Sequence, residues 1–185
     1  MAGVSDINWL YNKYYGDNPP LREIVTVHSN MVAKKALEIA HRLNLNLDKK
    51  DIYIAAMLHD IGVVKCNAPD IFAHGDLPYL QHGLEGKKIL EDNGLNNYAN
   101  ICSTHTGSGI TAEEIIKNRL PLPPADYLPT TLLEKLICYA DKFYSKSKDL
   151  TKEKDITRVI AQMQKFGSGP LQRFLELHSL FSPQD

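Results

Sequence analysis

The chain has 185 residues, 43% hydrophobic and 23% charged, with 21 basic and 22 acidic side chains and seven histidines. That length buries one good-sized core, so a single domain over 1–185 is expected, and balanced charge gives no reason to expect a nucleic acid or an anionic membrane as partner. No apolar run approaches the roughly 20 residues that span a bilayer, the opening stretch lacks a signal-peptide pattern, and the scattered Cys66, Cys102 and Cys138 read as reduced thiols of a cytoplasmic protein. In chain order, residues 5–15 read as a short helix, broken by Gly16-Asp17-Asn18-Pro19-Pro20. Asn18 suits an N-cap there and Pro19 a first helical turn. A long helix follows over about 21–43, then one over about 48–61 that ends at Gly62, and an irregular stretch over 63–81. Helices over about 82–93 and 96–105 come next.

Gly107-Ser108-Gly109 is a loop, and Thr111 with Glu114 has the form of a capping box that starts another helix. Leu120 to Pro129 carries four prolines and forms a structured connector or a flap. Helices over about 130–146, 152–166 and 171–181 complete the chain. No segment alternates with period two, so the fold class is all-α, a bundle of about seven to nine helices. Its core spans 21–146, with the helix at 5–15 and those at 152–181 packed against it.

Several polar side chains fall on apolar stripes. Leu21, Val25, His28, Val32, Ala36, Ile39 and Leu43 follow helical spacing, so His28 lies on the buried face. Leu133, Ile137, Ala140 and Tyr144 form another such face that includes Asp141. His59 lines up with Ile52, Ala55 and Ala56, and His105 with Tyr98, Ile101 and Cys102; His82 heads the line of Gly86, Ile89 and Leu90. Asp60 adjoins His59. A single inward histidine is more often a hydrogen-bonded core residue, and a single inward aspartate a cap or half of an ion pair. Five helices that each aim a metal-competent group inward are a different matter, because buried carboxylates need a positive partner and no Lys or Arg lies on these stripes. Four imidazoles and two carboxylates fit one divalent cation or, better, two. Of the remaining histidines, His41 reads as solvated, His178 as structural, and His74 as the one competing ligand.

His28, then His59-Asp60-Ile61-Gly62, then Asp141 also resemble the signature of the HD superfamily of metal-dependent phosphohydrolases, in its HDIG form, over roughly 21–146. His82 and His105 resemble the extra ligands of its two-metal subset. His105-Thr106 and Thr131-Leu132-Leu133-Glu134-Lys135, leading to Ala140-Asp141, are distantly similar to symmetrical dinucleoside tetraphosphate hydrolases, from which residues 107–129 depart as an insertion. The resemblance implies an HD-domain helical bundle with the metal site at its centre. In it His28, His59, Asp60 and Asp141 hold a first metal, and Asp60 bridges to a second held by His82 and His105. Iron or manganese suits that set, and zinc, nickel or magnesium also fit the ligand types.

The chemistry expected is hydrolysis of a nucleotide or other small phosphate ester or anhydride by a metal-activated water. Asp60 and Lys65 are then the catalytic residues, Lys65, soon after HDIG, being the first basic group offered to a substrate phosphate. Lys142 is a second, and Ser108 and Gly109 lead into a helix N-terminus whose free N–H groups suit an anion. Tyr127 of the proline loop could stack on a base. The alternative chemistry for the same ligands is an HD-type di-iron oxygenase acting on a small molecule such as a phosphonate or a polyol.

Overall fold

The computed structural model describes residues 4–147 and 149–182; the domain limits drawn at 1 and 185 lie outside them. Helix α1 (Val4–Tyr15) packs on α2 (Pro19–Arg42) and α3 (Lys49–Leu58). The start of α2 is the expected one: Asn18 accepts the Leu21 N–H at 3.2 Å and Pro19 sits in the first turn. Asp48 caps α3 by accepting the Lys50 N–H at 2.7 Å.

Helix α3 stops at Leu58, short of the expected end at Gly62, and a 3-10 turn over Ile61–Lys65 follows. The Asp60 carbonyl accepts the Val63 N–H at 3.0 Å as that turn begins. Two buried phenols of α1 add to the main chain around the break: Tyr11 Oη donates to the Met57 carbonyl, and Tyr15 Oη to those of Asp60 and Ile61 at 3.2 and 3.1 Å.

The stretch expected to be irregular contains a small sheet with strand order β2-β1-β3, made of β1 (Cys66–Ala68), β2 (Ala73–His74) and β3 (Leu77–Pro78). β1 pairs antiparallel with β2 through Asn67 and His74, and parallel with β3 through Cys66 and Leu77. Strands of two or three residues are too short to show alternation, which is why the pattern hides them. The sheet leads into α4 (His82–Asp92), which packs on α5 (Asn96–Thr104) and on the 3-10 turn. Gly62 permits that last contact: a Cβ there would lie 2.1 Å from the His82 carbonyl oxygen and 2.3 Å from Gly86 N.

Helix α6 (Ala112–Asn118) carries the expected capping box: Thr111 Oγ1 accepts the Glu114 N–H at 3.2 Å, and Glu114 Oε2 accepts the Thr111 N–H at 2.9 Å. A second box, Thr131 with Glu134, starts α7 (Leu132–Asp141). This helix ends at Asp141 rather than near residue 146. Helices α8 (Ile156–Gln164) and α9 (Ser168–Phe181) complete the fold. One apolar cluster runs from Ile7 to Phe181. In it Tyr139 of α7 meets Phe174 and Phe181 of α9 with ring centroids 5.8 and 5.5 Å apart.

Arg173 of α9 joins the first box, its Nη2 lying 2.8 Å from Glu114 Oε2. Burial would raise the Glu114 pKa, but the Thr111 N–H and the Arg173 guanidinium outweigh it and hold the carboxyl below its ordinary value. The unfolded chain then binds the proton more tightly. The contribution is complete above the ordinary glutamate pKa of about 4.3 and fades as pH falls through the folded value. Glu114→Gln should therefore cost about 1–2 kcal/mol in urea unfolding at pH 7, with the gap to the wild type narrowing in acid. A gap that does not change with pH would rule out the ion pair as its source.

Candidate metal centre

The six metal-competent residues come from five places in the chain and meet at one buried point. His28 sits in mid-α2, His59 and Asp60 lie where α3 breaks, His82 begins α4, His105 follows α5, and Asp141 ends α7. All six are nearly or fully buried. They form two groups that share Asp60: His28, His59, Asp60 and Asp141, and Asp60, His82 and His105, with the offered ligand atoms of each group within 4.8 Å of one another.

The two Asp60 oxygens divide between the groups. Oδ2 lies 3.4 Å from His28 Nε2 and 3.1 Å from His59 Nε2. Oδ1 lies 3.5 Å from His82 Nε2 and 3.3 Å from His105 Nε2. Asp141 Oδ1 closes the first group, 2.9 Å from His28 Nε2 and 3.4 Å from His59 Nε2.

The expectation that no Lys or Arg balances these carboxylates is corrected here. Lys142 Nζ lies 2.6 Å from Asp141 Oδ2 and donates to the His105 carbonyl at 2.8 Å. Lys146 Nζ lies 2.7 Å from Asp60 Oδ2. Lys142 follows Asp141 with helical backbone angles, and the chain beyond the end of α7 brings Lys146 back to the centre. Burial opposes ionisation of both aspartates, but His59 and Lys146 beside Asp60, and Lys142 and Lys146 beside Asp141, hold both carboxyls well below their ordinary range. Burial likewise opposes the charge on His59, yet Asp60 and Asp141 raise its pKa to about 9. Burial of two acids alone therefore does not demand a metal.

The imidazoles make the stronger case. Nδ1 of His59 faces the Ala56 carbonyl at 2.6 Å, Nδ1 of His82 that of Tyr79 at 2.7 Å, and Nδ1 of His105 that of Cys102 at 2.7 Å. A carbonyl only accepts, so each Nδ1 carries the proton and each Nε2 turns toward the centre, the usual outer arrangement of a ligating histidine. In the second group His82 Nε2 and His105 Nε2 then stand 3.0 Å apart. Burial, with His105 adding to it, lowers the His82 pKa to about 3, and burial lowers that of His105. Two bare lone pairs at that separation repel unless a cation lies between them and Asp60 Oδ1. Asp60 Oδ1 has no hydrogen bond of good geometry, and an unsatisfied buried acceptor is rare without such a reason. The residues fit a divalent cation.

Replacing both His82 and His105 with alanine should cost the second group's metal while the first group's survives, read as a fall in metal per chain by elemental analysis. Unchanged stoichiometry would mean that those imidazoles hold nothing.

The residues offered to a substrate scatter more widely. Lys65 ends the 3-10 turn with an exposed side chain. Ser108 is buried and donates to the Pro170 carbonyl at 2.7 Å; the Gly109 carbonyl accepts from Arg173 at 2.9 Å. At the α6 N-terminus the Ala112 N–H goes to Asp126 Oδ1 at 2.8 Å, and Thr111 and Glu114 satisfy each other, so those groups are already taken. Lys142 alone of the four reaches the centre. His74 is exposed in β2 and belongs to neither metal group. His41 is exposed at the end of α2, and His178 Nδ1 lies 2.9 Å from Tyr139 Oη. Tyr127 is pinned by its backbone to Ile110 and by its hydroxyl to Pro123, as a connector would be.

Three residues at the centre escaped the sequence reading. They are Lys146, Tyr79, whose ring stacks on His82 at 4.8 Å, and Tyr15, which fixes the Asp60 backbone. A cleft of about 410 Å³ opens beside Lys146, lined also by Tyr79, Tyr144, Ser145, Ser147 and Lys154.

A helical bundle whose separate helices converge histidines and aspartates on one divalent-metal site is the class that this fold and site define. The family model for the HD domain matches residues 25–146, and the chain belongs to that family. It is 35% identical over 147 residues to an uncharacterized protein of Methanocaldococcus jannaschii, covering 77% of each chain. It is also similar to two proteins named tRNA (cytidine(56)-2'-O)-methyltransferase. The one from Picrophilus torridus is 33% identical over 66% of this chain and 32% of its own length, and the one from Thermoplasma volcanium 28% identical over 84% and 41%. No solved structure gives a significant match. Among the described residues no helix is long and apolar enough to cross a membrane.

Proposed function

We propose that the protein is a metal-dependent phosphohydrolase that cleaves a nucleotide or another small phosphate ester or anhydride. The observation that carries this reading is the divided Asp60 carboxylate, one oxygen toward His28 and His59 and the other toward His82 and His105. His28, His59, Asp60 and Asp141 would hold one divalent ion, and His82 and His105 a second, with Asp60 common to both; iron or manganese suits these ligands best. Such ions supply a water acidified toward neutral pH and charge to stabilise the phosphoryl oxygens.

The chain's own part is positioning. The Ala56, Tyr79 and Cys102 carbonyls fix three imidazoles, and Tyr15 fixes the turn that bears Asp60. Lys142 donates to both Asp141 and the His105 backbone carbonyl. Phosphoryl transfer asks for little beyond positioning and electrostatics. The cleft beside the centre offers the ammonium groups of Lys146 and Lys154 along with the Asp70 carboxylate; the ligand proposed is a phosphorylated small molecule, in the cytoplasm, with neither nucleic acid nor membrane as partner. The methyltransferase names stay with relatives of which this chain matches less than half.

The test is elemental analysis of anaerobically purified protein, then a phosphate-release screen over nucleotides and sugar phosphates with the metal found. Anaerobic phosphate release is expected. Dioxygen consumption without phosphate release would replace this reading with the oxygenase one.

A further inference from the structure

We propose that Lys146 is an exchangeable cation: it holds Asp60 in the metal-free protein and leaves for the cleft when a divalent ion takes that carboxylate. This rests on the metal centre described above, and goes beyond it by giving the protein a built-in competitor for its own cofactor.

The geometry points to exchange rather than to a permanent brace. Lys146 Nζ lies 2.7 Å from Asp60 Oδ2, the same oxygen that faces His28 and His59. An ammonium and a divalent ion cannot share one carboxylate oxygen without strong like-charge repulsion in so buried a place. Asp60 cannot leave, because it is fully buried and Tyr15 holds its carbonyl.

Lys146 can leave. Its side chain keeps 14% exposure and borders the open cleft. Its backbone lies past the end of α7, and the clamp that Lys154 Nζ makes on this segment grips the Lys142 and Tyr144 carbonyls, stopping two residues short of Lys146. The Tyr79 ring, already 6.0 Å from Lys146 Nζ, lines the same cleft, so the ammonium stays beside that ring as it swings outward. Lys142 differs. Buried and bonded to the His105 carbonyl as well as to Asp141, it has a partner that a metal does not take.

Two measurements on the full chain test the exchange. In calorimetric titration with Mn²⁺, Lys146→Met should bind about ten-fold more tightly than the wild type, an ordinary size for coupled binding events, because no ammonium has to be displaced. Equal or weaker binding by the variant overturns the proposal, and weaker binding would make Lys146 a support for the site. The second measurement needs no variant. Trypsin cleavage after Lys146, taken relative to the other lysyl and arginyl sites, should quicken several-fold when Mn²⁺ is added. A relative rate that stays level or falls overturns the exchange. Wild-type protein that takes up no Mn²⁺ overturns the metal centre itself, so the two failures are told apart.

Discussion

Asp60→Ala protein should purify with neither metal and should lose phosphate release by at least on the order of 10³-fold. No other side chain among the described residues belongs to both metal groups. Removing His28 or Asp141 leaves three members of the first group and leaves the second untouched. Removing Asp60 takes an oxygen from each and returns the His82 and His105 lone pairs to mutual repulsion at 3.0 Å. The variant should still fold. Its loss frees Lys146 to turn to the cleft, and His59, whose raised pKa of about 9 depends on Asp60 and Asp141, can shed its proton. Circular dichroism of the variant alongside its metal content separates a lost centre from a lost fold. Folded Asp60→Ala protein that keeps full metal and turnover would end the bridging assignment.

Gly62→Ala should be strongly damaging for the addition of a single methyl group. The added Cβ would meet the His82 carbonyl oxygen at 2.1 Å, Gly86 N at 2.3 Å and Gly86 Cα at 2.9 Å. All are main-chain atoms of α4 and cannot swing aside as a side chain would. Either α4 moves away from the turn or the turn moves away from α1, and both carry metal-site groups or their supports. The cost should reach or pass the upper end of ordinary overpacking, about 3 kcal/mol, or a fall of about 6–12 °C in melting temperature for a chain of this size. His82 moves with α4, so metal at the second group should fall too. A melting temperature within about 2 °C of wild type would show that α4 yields more easily than its packing suggests.

Helical periodicity showed most of the centre in advance. Apolar stripes pointed His28, His59, His105 and Asp141 inward, and the structure buries all four. The two lysines were hidden for different reasons. Lys142 keeps helical backbone angles off the apolar stripe, and its long side chain reaches back to Asp141; Lys146 was hidden by a mistaken boundary, since α7 ends at Asp141 and the chain beyond it aims Lys146 at Asp60. Two lysines within five residues after an inward aspartate were the available hint. Lys65 was offered to a substrate for its place soon after HDIG, and the 3-10 turn that it ends leaves its side chain exposed. The anion site offered at Ser108 and Gly109 was unreadable for another reason. Its donors are consumed by Asp126, Pro170 and the capping box, long-range partners that no local pattern announces.

Tyr11 and Tyr15 lie outside the span that the family model matches, yet their hydroxyls bind the Met57, Asp60 and Ile61 carbonyls where α3 gives way to the ligand turn. The smallest piece of this chain able to hold its metals in register is therefore larger than the family signature. A His59–Gly62 turn transplanted into another helical framework would arrive without the phenol that Tyr15 lends to the Asp60 and Ile61 carbonyls. It would take its ligands along and leave behind what keeps them aimed.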